Sequence, residues 1–191
     1  GDSGLMDYSE ALAQIKILGL TRGVVSGPQR AGTTICAKML ALDLGCEFLS
    51  EAWLEGGKPV QTLNRILVGH DRFVIQAPGP SRHLHKLALR GAFVVWMRRD
   101  LADIVASQER VKWSESSQLR AYDSQQGPIA QIKLDFWRQR QRGQIDYAFE
   151  VEYESLAAHP LWVPKEDRAD WHERQISADN RFRPEIFIRE K

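Results

Sequence analysis

Cysteine is scarce in this chain: Cys36 and Cys46 are the only two among 191 residues. Two thiols build no disulfide framework, and neither sits in a Cys-x-x-Cys pair or at metal-ligand spacing, so both are expected to be reduced packing residues. An excess of one charge is missing too. Lys and Arg number 26 against 25 Asp and Glu, a formal net charge of +1. That excludes a broad basic face for nucleic acid and makes any anion site a local one. No apolar run reaches the roughly 18 residues of a membrane span, and the first residues lead into no apolar core of a secretory signal. The expectations are no membrane span and a cytoplasmic location. Internal repeats and low-complexity segments are absent as well.

What is present is ordinary globular composition, 43% hydrophobic and 27% charged, at a length that suits one domain over residues 1–191. Short β-type runs alternate with helical patterns, the signature of an α/β domain with a mostly parallel sheet. Residues 1–21 form a leader and helix, with an amphipathic pattern over Asp7–Leu18. Gly23–Ser26 reads as a strand, Thr33–Leu44 as a helix, and Gly45 as its stop. Phe73–Ile75 and Ala92–Met97 are apolar without alternation, as strands covered on both faces should be. Pro80–Leu89, Leu101–Val111 and Pro128–Arg142 read as helices, the last with Ile129, Ile132, Phe136 and Trp137 inward. Ala148–Glu152 reads as a late strand, Ser114–Gly127 as a polar loop placed to act as a lid, and residues 161–191 as a tail able to close over a ligand.

The most informative string is Gly27-Pro28-Gln29-Arg30-Ala31-Gly32-Thr33-Thr34, which follows a strand and opens a helix. It has the spacing of a P-loop, in which backbone N–H groups and the helix's positive pole cradle a phosphate. The expected fold is therefore a P-loop NTPase-like three-layer α/β/α arrangement. The Walker lysine is missing, because Thr33 stands in its place and Arg30 lies inside the turn. Beyond the central strand come Arg98 and Arg99 rather than an acidic magnesium ligand. Two adjacent cations at a strand end suit a second anionic group, or else pair with nearby acids.

Taken together, Pro28-Gln29-Arg30-Ala31-Gly32-Thr33-Thr34, the stretch Arg99-Asp100-Leu101-Ala102-Asp103-Ile104-Val105-Ala106-Ser107, and Tyr153-Glu154-Ser155-Leu156-Ala157-Ala158-His159-Pro160 resemble the ordered motifs of sulfotransferases. Those enzymes use 3′-phosphoadenosine-5′-phosphosulfate (PAPS), and the spacing is nearest the tyrosylprotein and carbohydrate branch. The resemblance implies transfer of a sulfuryl group to a hydroxyl or amine, with 3′,5′-bisphosphate adenosine (PAP) as product and no metal. It implies that Gly27, Gln29, Arg30, Ala31, Gly32, Thr33 and Thr34 hold the 5′-phosphosulfate, while Arg99 and Ser107 hold the 3′-phosphate. Arg30 would stabilise charge on the leaving phosphate. Glu51, 21 residues after Arg30, is placed like a catalytic base of the family. Glu47 and the histidines His70, His83 and His85 remain alternatives for that base. Where the family often carries Lys or His before x-Pro, this chain has Gln76-Ala77-Pro78. Gln76 can donate a hydrogen bond but cannot act as a base, and Leu101 replaces a frequent Pro or Gly.

On the acceptor side, Trp53, Leu54 and Trp113 are candidates to line a pocket, and Ser177 and Arg181 of the tail are candidates to touch a phosphate. The resemblance admits a small-molecule, lipid or carbohydrate acceptor, and a homodimer is compatible with so short a chain. Two other readings stay open: a module that binds PAP or PAPS without fast turnover, and a P-loop small-molecule kinase.

Overall fold

Among the described residues, six short strands form one sheet in the order β1-β6-β5-β2-β4-β3, and every neighbouring pair is parallel. In this computed structural model the described residues are 4–28, 30–100, 102–104, 106, 137–164 and 167. The strands are β1 (Leu5–Met6), β2 (Arg22–Ser26), β3 (Glu47–Leu49), β4 (Phe73–Gln76), β5 (Phe93–Arg98) and β6 (Ala148–Glu152). The helices are α1 (Tyr8–Ile17), α2 (Thr33–Leu44) and α3 (Pro59–Gly69). A parallel sheet of this kind buries both faces, which is why β4 and β5 carry unbroken apolar runs.

Alternation along the strands sorts the core into two layers. Val25, Val74, Val95, Met97, Phe149 and Val151 pack under α1 and α2. Val24, Phe73, Ile75, Val94 and Trp96 pack under α3 and the turns beyond β4. The α/β class expected from the sequence is therefore present, with helices on both faces. Helix α2 occupies the expected Thr33–Leu44 and ends at Gly45, which takes φ 65° and closes the helix onto Ala41 and Leu42. Cys36 in α2 is fully buried, and burial pushes its thiol above the ordinary range. Cys46 donates weakly to Thr21 O at 3.4 Å, and both thiols are free. Among the described residues no helix is long and apolar enough to cross a membrane.

Several expectations need correction. Residues Gly79–Arg82 and Leu84–Lys86 form two tight 3-10 turns rather than one helix over Pro80–Leu89. The bonds run three residues back, from Ser81 N to Pro78 O and from Lys86 N to His83 O. Pro80 lacks an N–H and disfavours helical geometry in the residue before it, so the apolar spacing of Leu84, Leu87 and Leu89 serves core contacts instead. Helix α3, strand β3 and strand β1 were not anticipated. Pro59 occupies the first helical position of α3, where its missing N–H costs nothing.

The helix expected over Leu101–Val111 is described only at Ala102–Ile104 and Ala106, which are helical. Asp100 Oδ1 accepts from Ala102 N at 2.9 Å and so caps that start. Of the helix expected over Pro128–Arg142, only the end is described: Trp137–Gln141 is a single π-helical turn, followed by a 3-10 turn. Trp137 is buried as expected and stacks on Trp96, with ring centroids 4.7 Å apart. The lid region Ser114–Gly127 with Trp113, and the tail residues Ser177 and Arg181, lie outside the described residues.

Candidate anion-binding site

All six strands point the same way, so their carboxyl ends share one edge. The turn after β2, Gln76 at the end of β4 and Arg99 just after β5 meet at that edge. In the turn, Arg30 adopts φ 69°, the left-handed region that a side chain rarely takes. Ala31 N closes the turn on Pro28 O at 3.2 Å, and Arg99 Nη1 donates to Arg30 O at 2.8 Å. A non-glycine residue held in this conformation costs on the order of 1–2 kcal/mol, which the surroundings must offset. Arg99 is one such surrounding group, because it grips the carbonyl that the unusual backbone presents.

Arg99 is held in turn by Tyr153, whose ring lies 4.1 Å from the guanidinium carbon. Its Nε is buried and makes no hydrogen bond. Tyr153 also lies against Gly32, the residue that precedes α2 at φ 87°; a Cβ on Gly32 would collide with the ring. Gly27 is similarly confined, since a Cβ there would come 3.0 Å from Met97 O. After Gly32, the first N–H groups of α2, among them those of Thr33 and Thr34, have no carbonyl within the helix to bind. They form a donor pole at the mouth of the turn. Gly32→Ala is expected to lower stability by about 1–3 kcal/mol through strain and overlap with Tyr153. A urea midpoint equal to that of the parent would contradict this geometry.

On the other side of the turn, Gln76 links two expected site residues. Its Nε2 donates to Thr33 Oγ1 at 3.3 Å, and its Oε1 accepts from Glu51 N at 3.1 Å. Glu51 Oε2 accepts from Gly79 N at 2.8 Å. Gln76 thus spans the helix start and the Glu51 turn, a task that needs a donor and an acceptor on one side chain. Ser26 Oγ reinforces the same edge by donating to Ala77 O at 2.7 Å.

The structure therefore brings together Gly27, Arg30, Ala31, Gly32, Thr33, Thr34, Glu51, Gln76 and Arg99, while Gln29 and Ser107 lie outside the described residues. It separates others. Glu47 is exposed and pairs with Phe73, at the opposite end of the strands from Gln76. His70 caps the end of α3, before β4 begins, and its ring meets Trp53 and Phe73 edge-on. Leu54 is buried in the core, so it lines no open pocket. His83 and His85 are exposed on the turns after β4; desolvation first, then Lys86, His85 and Arg82, lower the His83 pKa.

Arg98 does not join the site. Successive residues at a strand end face opposite sides, and Arg98 turns away from Arg99 toward Glu150 on β6. The fully buried Glu150 carboxylate takes Arg98 Nε at 3.4 Å, Arg138 Nη2 at 3.0 Å and Arg142 Nη1 at 3.3 Å. Of the two readings left open for this pair, Arg98 takes the pairing with a nearby acid, whereas Arg99 reaches the turn through Arg30 O. Sequence reasoning gave Tyr153 no role of its own, although it stood in a quoted motif, and it missed Gly79 as the donor that fixes Glu51. No protein-family model matches the chain, and no curated protein sequence matches it either.

Proposed function

We propose that this chain is a PAPS-dependent sulfotransferase built on a P-loop NTPase-like domain. The observation that carries the reading is Arg30 held in left-handed geometry with its carbonyl fixed by Arg99. Strain of this kind persists where a side chain must be aimed, and here it couples the two motifs that the resemblance assigns to the two ends of the donor. The donor set also suits a small polyanion. Arg99 has a buried, unpartnered Nε, Thr33 and Thr34 sit at a helix start, and Gly27 and Gly32 keep the turn free of side chains. The bound donor would supply an activated sulfuryl group. Arg30 would stabilise negative charge on the phosphate side, and Arg99 with Ser107 would hold the 3′-phosphate. Glu51, oriented by Gly79 N and Gln76, would accept the acceptor's proton.

Gln76 bears on the choice between turnover and binding alone. With both ends of its amide engaged, it serves as a positioning residue and leaves base chemistry to Glu51. A binding module without turnover is the second reading, and it would need Glu51 to be dispensable. Titration calorimetry with PAP and with ATP·Mg tests the proposal. PAP is expected to bind at least about tenfold more tightly, a difference of about 1.4 kcal/mol. A preference for ATP·Mg would overturn it in favour of a kinase. Transfer of label from PAPS to a hydroxyl or amine acceptor, lost in Glu51→Gln, separates the enzyme from the binding module. The acceptor class, small molecule, lipid headgroup or sugar, belongs to the same screen.

A further inference from the structure

A cavity of about 560 Å³ opens between α1, the end of α2 and the segment 155–161. It is remote from the anion turn, because Asp43 lies ten residues along α2 from Thr33, about 15 Å of helix. Its volume is within the range of small-molecule sites. Leu12, Leu42, Pro160 and Leu161 supply apolar walls, and the polar wall is Asp43 with Tyr8 and His159.

The hydrogen bonds define the chemistry of that polar wall. Tyr8 Oη donates to Asp43 Oδ2 at 2.6 Å, and His159 Nε2 lies 2.9 Å from the same oxygen. His159 Nδ1 accepts from Leu161 N at 3.0 Å, which leaves Nε2 as the ring nitrogen that donates to Asp43. Burial, followed by the bond to Asp43, pushes the Tyr8 hydroxyl far above its ordinary pKa, so Tyr8 is a neutral donor. Asp43 thus receives both donors on one oxygen, Oδ2, and leaves 24% of its side chain accessible at the cavity. The other charged groups lining the cavity are Asp7 and Lys16, at opposite ends of α1. The lining thus holds two carboxylates and one ammonium.

We infer that this cavity is a binding site for a small organic amine, with its ammonium on Asp43 and an apolar body against Leu12, Leu42 and Leu161. A carboxylate flanked by hydrocarbon and already bonded on one oxygen favours a cationic donor at the other. A neutral hydroxyl of the same shape would recover less, and an anion would be repelled.

Three isosteric probes test this at pH 7: benzylamine, benzyl alcohol and benzoate, titrated into the full chain and followed by amide chemical shifts. Benzylamine is expected to shift the amides of Leu12, Leu42 and Leu161 and to bind at least tenfold more tightly than the other two. Asp43→Asn should remove that preference. Leu42→Trp fills the cavity from its partly exposed side without touching the Asp43 bonds, and it should abolish binding. If Asp43→Asn fails to fold, Leu42→Trp decides. Equal binding of the three probes, or undiminished benzylamine binding in Leu42→Trp, overturns the inference.

Discussion

Glu150→Ala is expected to cost about 3–5 kcal/mol of unfolding free energy, the largest stability loss of any single side chain considered for this molecule. The carboxylate is fully buried and accepts from three arginines that come from β5 and from the turns after residue 136. A surface ion pair contributes only about 0–1 kcal/mol. Here, removing the acid takes away the buried carboxylate that Arg98, Arg138 and Arg142 share. It also releases the π-helical turn that places Trp137 on Trp96. Glu150→Gln preserves shape and one acceptor oxygen, so an intermediate loss is expected. Urea unfolding at neutral pH checks both variants, and a loss below about 1 kcal/mol for Glu150→Ala would show that the arginines are held by something else.

Arg30→Gly is expected to separate stability from function. Glycine takes φ 69° freely, so it relieves on the order of 1–2 kcal/mol of backbone strain. Against this stands an unfolded-state entropy cost of roughly 0.5–1 kcal/mol. The net change in stability should fall within about 1 kcal/mol of the parent and lean toward stabilisation. Loss of the guanidinium should lower kcat by about 100- to 1,000-fold if Arg30 stabilises charge in the transition state. Arg30→Ala keeps the strain and loses the same charge, so it should match Arg30→Gly in rate but not in stability. Rate and urea midpoint measured on both variants test the assignment together. Sulfuryl transfer at the parental rate in either variant would remove Arg30 from the chemistry.

Those two arginines also show what a one-dimensional pattern can and cannot reveal. Arg98 and Arg99 are adjacent in sequence and look alike, but only the pairing of β5 with β6 brings Glu150 beneath one of them. The partner lies 52 residues away and has no local signature. Helix α2 was legible to the residue, because Gly32 and Gly45 bracket it in left-handed conformations. Strands β2, β4, β5 and β6 were legible from their apolar content. The region 47–69 was not: Gly56-Gly57-Lys58-Pro59 has the composition of a break, and Pro59 turns out to begin a helix. Gln76 was visible as a missing charge. Its actual use, donating to Thr33 and accepting from Glu51, depends on two segments that meet only in the folded chain.

The pairing of β1 with β6 bears on how the chain must be made. Leu5 lies opposite Glu150, and Tyr8 N bonds Ser155 Oγ across 147 residues. At about 5–20 residues per second, the ribosome needs roughly 7–30 s to supply that partner after β1 has emerged. Strands β2 to β5 are available well before then, so the centre of the sheet can assemble while its first strand waits. The outer edge of β6 closes last, by contacts of long sequence separation that slow folding. Until then β1 is without its native neighbour in the sheet, and so is the β6-facing edge of β5.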